Sequence, residues 1–250
     1  MIKFFRKIRQ KMLTENKFSK YFLYAIGEIT LVIIGILLAL AINDWKNEQR
    51  INSEETATLQ KLIQDLKSDN ESYNENINYY SNLGERLINL KEIIYKKSLS
   101  DDDIKQALRF PGATFIDLNP RKTTYEEMLN SGRVYNLSSE ILVDKIIAYY
   151  QFLEGRIYQT KESRKEFRAI YYGPNFTDFW YWKGDKNPFP YAKIFFSNND
   201  SPTYRILKQC SAWSIAINNG LLDDNNKLLK MSNELIEYIN EELTRKKTKG

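Results

Sequence analysis

Apolar residues fall along this chain in two distinct patterns. From Phe22 to Ile42 they are nearly continuous, 21 residues in which Glu28 is the only formally charged side chain. A helix of that length rises roughly 31 Å, about one bilayer hydrocarbon core. Tyr21 and Tyr24 at one end and Trp45 at the other are the amphipathic rings that settle at membrane interfaces. Beyond Trp45 the apolar positions thin out and become periodic. Leu59, Ile63, Leu66, Asn70, Tyr73, Ile77, Tyr80, Gly84 and Leu87 recur at alternating steps of four and three. That is the spacing of a coiled-coil-like seam, weakened at Asn70 and Gly84. The pattern predicts helix without a breaker from Asn43 to about Tyr95. Such a rod packs against a second copy or, more commonly, against other helices of its own chain.

The same periodicity predicts the remaining elements. Ser98-Leu99-Ser100 followed by Asp101, Asp102 and Asp103 ends the rod and opens a short helix. The three carboxylates complement the N-terminal helix dipole, and no calcium-loop spacing or glycine follows them. After the loop Phe110-Pro111-Gly112 comes a capped helix at Thr123–Leu129, closed by Gly132. Glu126 and Glu127 are adjacent on it and point in different directions, so they do not form an acid–base pair. A long helix over residues 138–171, opened by Ser138 or Ser139, carries Ile141, Leu142, Ile146, Tyr149, Tyr150 and Leu153 as its apolar face. A last helix, about Ser201 to Leu243, places Ile206, Cys210, Trp213, Ile217, Leu221, Leu228, Leu235 and Ile239 on one side, with a kink expected at Gly220. There is no alternating run long enough for a sheet, and no internal repeat. The predicted fold class is all-α: one N-terminal transmembrane helix followed by an antiparallel bundle of long helices.

Charge orients the apolar run. Residues 1–20 hold seven cations against the single acid Glu15, whereas residues 43–60 hold Lys46 and Arg50 against four acids. Basic short flanks stay cytoplasmic, so the N-terminus is predicted inside and residues 46–250 outside. An Ala39-Leu40-Ala41 cleavage pattern is present, but the long basic arm, the spanning length and Glu28 favour an uncleaved anchor. The chain has 37 basic and 32 acidic side chains. Setting aside the seven cations of the arm with Glu15 and Glu28 leaves 30 of each, a neutral outer domain. The alkaline balance therefore reports a membrane-facing arm, and no nucleic-acid footprint is predicted. Within the arm, Met1, Phe4, Phe5, Ile8 and Met12 recur at helical spacing among cations, an amphipathic pattern suited to the inner leaflet. The organisation expected is a cytoplasmic arm (1–20), a transmembrane helix (21–45), a helical outer domain (46–245) and a basic tail (246–250).

Candidate chemistry is sparse. There is one cysteine, Cys210, and no histidine, which excludes an internal disulfide, Cys/His zinc sites and His-based triads. Cys210 lies on an apolar stripe and is expected to be a packed thiol. No catalytic residue, cofactor or metal ligand is assigned. Two features remain. Glu28 shares one helical face with Gly35 and Ala39, and Gly35-xxx-Ala39 is a small-xxx-small packing pattern. Glu28 snorkels to the cytoplasmic interface, pairs with a partner helix, or carries ions or protons in a complex. The second feature is the segment 171–196, with eleven aromatics among 26 residues and breakers at Gly173, Pro174, Gly184, Pro188 and Pro190. It is expected to plug the end of the bundle, with Trp180, Tyr181 and Trp182 as the alternative ligand or contact surface.

The stretch MIKFFRKIRQ…KYFLYAIGEITLVIIGILLALAINDW resembles the opening of an uncharacterised family of bacterial single-pass inner-membrane proteins with a helical extracytoplasmic domain. The run TTYEEMLNSGRV, followed by the helix bearing Tyr149-Tyr150, is similar to that family's middle segment. The resemblance implies topology and fold and brings no activity with it. Composition rich in Lys, Asn, Ile and Tyr suits an AT-rich bacterial genome, which makes the outside an envelope or periplasmic space. The expected function is that of a membrane-anchored scaffold or accessory subunit. It would meet the lipid bilayer, and either a second copy or another membrane protein. The alternative is an outer ligand-binding sensor domain that signals through a separate partner.

Overall fold

The computed structural model describes residues 18–176 and 186–249. Among these residues the chain is helical, with no strand. The helices are α1 (Phe18–Ile94), α2 (Asp101–Ala107), α3 (Thr123–Asn130), α4 (Glu140–Tyr171), α5 (Phe189–Ser197) and α6 (Pro202–Lys249). Single 3-10 turns sit at Arg133–Asn136 and Pro174–Phe176. The chain divides into two units, Met1–Ala57 and Thr58–Gly250, and α1 contributes to both.

In the first unit α1 is one helix long and apolar enough to cross a membrane, and nothing in its apolar window is buried. Every large apolar side chain from Ile26 to Trp45 is between 47% and 69% exposed. The hydroxyl of Thr30 donates to the Ile26 carbonyl at 2.9 Å, so the helix satisfies that polar group internally. A soluble core helix would bury such a stripe. This one does not.

In the second unit the predicted seam is the inner edge of α1. Leu59, Ile63, Leu66, Asn70, Tyr73, Tyr80, Gly84 and Leu87 are buried and Ile77 is half-buried. The stripe broadens to include Leu62, Asp69, Asn76, Leu83 and Leu90. Its hydrogen bonds across to α6 descend in order. Asn70 donates to Asn233 at 2.9 Å, Asn76 donates to Asn225 at 3.1 Å, and Asn218 donates to the Tyr80 carbonyl at 2.9 Å. The Tyr204 hydroxyl donates to the Ile94 carbonyl at 2.9 Å. From α4, the Tyr149 hydroxyl meets that of Tyr73 at 3.0 Å.

Two apolar clusters result. One gathers Leu59 to Tyr73 with Tyr125, Met128, Leu142, Ile146, Tyr149, Tyr150 and Leu228 to Leu243. The other gathers Leu83 to Ile94 with Phe110, Phe167, Tyr171, Phe176, Phe196, Tyr204 and Cys210. Asn76, Asn218 and Asn225 are buried between them along the chain. Gly84 is part of that polar layer. A Cβ there would stand 3.0 Å from the Asn218 side-chain nitrogen, so the glycine that weakens the seam admits the asparagine.

The helix boundaries follow local chemistry. Ser100 caps α2 in a reciprocal box with Asp103, and Ser139 caps α4 by accepting from the Leu142 amide at 3.3 Å. Asp103 is held well below the usual carboxylate range, at about 2, first by its hydrogen bond from Lys96 and then by Ser100. Gly132 adopts φ 72° and closes α3, a conformation that costs glycine nothing.

Two expectations need correction. The start of α3 has no side-chain cap: Lys122 stands there, and the Thr124 hydroxyl donates instead to Asp65 of α1. Ile141, placed on the apolar face of α4, is 58% exposed, because it shares the outer stripe of Asp144, Lys145 and Ala148, one residue off the buried line of Leu142, Ile146, Tyr149 and Leu153. α6 is one helix through Gly220, from Pro202 to Lys249.

Candidate functional site

On α1 the predicted residues lie along one face of the helix. Gly35 lies seven residues and Ala39 eleven residues after Glu28, which at 100° per residue puts all three within about 20° of one line. Gly35 has nothing within 4 Å of the place where a Cβ would stand. Gly35 and Ala39 are exposed and Glu28 is half-buried. Its chemistry is packing: two small residues let a second backbone approach, and one carboxylate can accept hydrogen bonds.

The aromatic candidates Trp180, Tyr181 and Trp182 lie outside the described residues. The two ends of their segment are described, and both turn inward. Tyr171 is fully buried, its ring against Phe110 at 5.7 Å, Phe167 at 5.3 Å and Phe176 at 5.5 Å. Its hydroxyl donates to the Phe110 carbonyl at 3.4 Å. Gly112, at φ 76°, is required beside it, since a Cβ would come within 2.6 Å of the Tyr171 ring. Downstream, α5 sends Ala192 and Phe196 into the same cluster. Cys210 is buried there too, and burial pushes its thiol up to about 11, which keeps it protonated and unreactive.

A third place was not anticipated from the sequence. Residues 110–122 form no regular element, and side chains hold their backbone to α1 and α4. The Ile116 amide donates to the Tyr80 hydroxyl at 2.8 Å, and the Arg121 amide donates to Asp69 Oδ1 at 2.9 Å. Arg164 binds the Asp117 carboxylate at 2.6 Å and the Phe115 carbonyl at 3.2 Å. Between this segment and α1 lies a cleft of about 200 Å³, lined by Asp69, Ser72, Tyr73, Glu75, Asn76 and residues 116–120. Asp69 is 4% exposed, and its Oδ2 has no hydrogen-bond partner. The spacing gives no signal for it: Asp69 stands beside the seam residue Asn70, where a charged side chain is ordinary.

Burial pushes the Asp69 carboxyl up to about 6, with the Arg121 amide opposing and Asp65 reinforcing the shift. The titratable groups around it are Asp65 and Tyr73 on α1, Arg121 on the loop, and Tyr149 and Tyr150 on α4. The folded protein therefore binds this proton more tightly than the unfolded chain, whose value is near 3.8. Stability from this group is greatest below pH 4 and declines as pH rises to about 6. Urea midpoints of the wild type relative to Asp69→Asn, measured from pH 4 to 8, are expected to fall through that window and then level off. A flat difference would contradict the buried-carboxyl assignment.

Comparison with protein-family models, with curated proteins and with solved structures gives no match. Among the described residues no group of three or more Asp, Glu, Cys or His side chains is placed to hold a metal ion. Among the described residues the chain offers an exposed apolar stretch on α1 and an acceptor-lined cleft beside Asp69.

Proposed function

We propose that this is a single-pass protein of a bacterial cytoplasmic membrane, with its N-terminus inside, that acts through protein contacts as a scaffold or accessory subunit. The carrying observation is the wholly uncovered apolar stretch of α1, with Glu28, Gly35 and Ala39 on one face. Lipid covers most of that surface, and a partner helix covers the small-residue face. The seven cations of residues 1–20 support the orientation, and the resemblance to single-pass bacterial proteins implies the same topology. The outer domain is an antiparallel bundle of α1, α4 and α6. The descending pairs Asn70–Asn233, Asn76–Asn225, Tyr80–Asn218 and Ile94–Tyr204 support that reading. No catalytic role, cofactor or nucleic acid is assigned. A second reading, an outer sensor domain working with a signalling partner, draws on the cleft at Asp69.

The test uses three variants of the full chain in native membranes. Glu28→Gln and Gly35→Leu are expected to weaken the assembly seen on native gels. The loss is roughly 1 kcal/mol for the polar contact, several-fold in association. Leu37→Ala, nine residues from Glu28 and so on the opposite side of the helix, leaves the assembly intact. Equal behaviour of all three would remove the partner-helix reading.

A further inference from the structure

We propose that the cleft between α1 and residues 116–120 binds a small molecule through a primary ammonium group seated on the Asp69 carboxylate. The site lies within the unit Thr58–Gly250 and does not depend on the membrane reading above.

The cleft selects its ligand by sign, donor count and size. Asp69, Glu75 and Asp117 line it and no basic side chain does; Arg164 pairs with Asp117 and the Arg121 charge acts on Asp69 from outside the lining, leaving the lining net acidic. An anion is therefore repelled. Asp69 is buried and Arg121 occupies one of its oxygens through an amide, while Oδ2 is left with no hydrogen-bond partner. A buried charged acceptor in that condition is costly until a donor reaches it, and a cationic N–H donor offsets the cost best. Ser72, Asn76 and Asn119 add oxygen acceptors around it.

A divalent metal fits less well. Calcium takes six to eight oxygen ligands, and the acids here are not gathered as a cluster of three among the described residues. A quaternary ammonium fits less well too, since Tyr73 is the only aromatic in the lining and no cage exists. At about 200 Å³ the cleft is smaller than a drug-sized pocket and holds an amine of a few heavy atoms.

The experiment is calorimetric titration of the full chain, in neutral detergent at pH 8, with n-propylammonium chloride at constant ionic strength. Saturable millimolar binding is expected. The dissociation constant should rise at least about tenfold in Asp69→Asn, as loss of one charge-assisted hydrogen bond requires. Glu75 is exposed, so Glu75→Gln tests the cleft without touching the core, with a several-fold weakening expected. Tetramethylammonium, which has no N–H, should not bind. The proposal is overturned if propylammonium gives no saturable heat, as when water alone occupies the cleft. It is equally overturned if both variants bind like the wild type, or if calcium or tetramethylammonium binds in its place.

Discussion

A chain carrying Val32→Arg together with Ile36→Arg is expected to be stripped from membranes by alkaline carbonate, whereas the wild type stays in the pellet. Both side chains are more than half exposed on α1, so neither change disturbs packing within the chain. What they change is the transfer of the helix into hydrocarbon. Each arginine near the centre costs roughly 2.5–3.5 kcal/mol on insertion scales, so the pair costs roughly 5–7 kcal/mol. Leucine, isoleucine and valine each return only about 0.3–0.6 kcal/mol on the same scale, so the 21-residue run has little margin to absorb both. Far-ultraviolet circular dichroism of the released protein should still report a helical outer domain. Retention in the carbonate pellet would contradict a lipid-covered α1.

The second large effect lies at Tyr150. Its side chain is fully buried, stacked on Tyr125 at 3.8 Å with 7° between the rings and edge-on to Tyr149 at 5.0 Å. Tyr150→Ala is expected to cost about 3–5 kcal/mol, the usual loss for a large aromatic in a core. The hydroxyl behaves differently from the ring. It is buried without a hydrogen-bond partner, and desolvation pushes its ionisation well above the ordinary tyrosine value. Tyr150→Phe should therefore be neutral or stabilising, by up to about 1 kcal/mol. Tyr73→Phe removes a hydroxyl that meets Tyr149 at 3.0 Å, and should cost about 1–2 kcal/mol. Urea denaturation of the three variants separates these outcomes. A Tyr150→Phe variant as unstable as Tyr73→Phe would contradict the hydrogen-bond assignment.

How much of this was legible in the sequence depended on side-chain polarity. The inner edge of α1 was visible because Leu59, Ile63, Leu66, Tyr73, Tyr80 and Leu87 are apolar at every turn. On α6 the buried stripe keeps the same three-and-four alternation, through Tyr204, Leu207, Ser211, Ser214, Asn218, Leu221, Asn225, Leu228, Ser232, Leu235 and Ile239. Five of those positions are serine or asparagine, so a search for apolar residues drifted onto the half-buried Ile206, Trp213 and Ile217. The asparagines are buried because α1 offers them partners: the side chain of Asn76 and the backbone of Tyr80, opened by Gly84. Such pairing is a property of two helices together and leaves no mark on either alone.

The candidate sites divided in the same way. Glu28, Gly35 and Ala39 are candidates legible in the sequence, because one charge in a continuous apolar run stands out by composition. Asp69 did not stand out among the many acids of a polar-looking helix. Its burial comes from residues 110–122, an irregular segment whose path no periodicity predicts, and its one amide partner is the backbone of Arg121. At the two ends of the aromatic segment, Tyr171, Phe176 and Phe196 are buried in the second cluster, as large aromatic side chains in a breaker-rich segment suggest. The helix at Phe189–Ser197 was not, because prolines flanking a run more often forbid a helix than start one. Here Pro190 sits in the first turn, where its missing N–H costs nothing.

The central claim is that the small-residue face of α1 meets another protein within the membrane. It is tested most directly by placing a photo-reactive amino acid at Ala39 of the full chain and irradiating intact cells. The account predicts a discrete protein adduct, identified by mass spectrometry as a second copy or a particular membrane protein, and reduced several-fold by Glu28→Gln. Adducts to lipid alone, the same at Ala39 as at Leu37 on the opposite side, would contradict it.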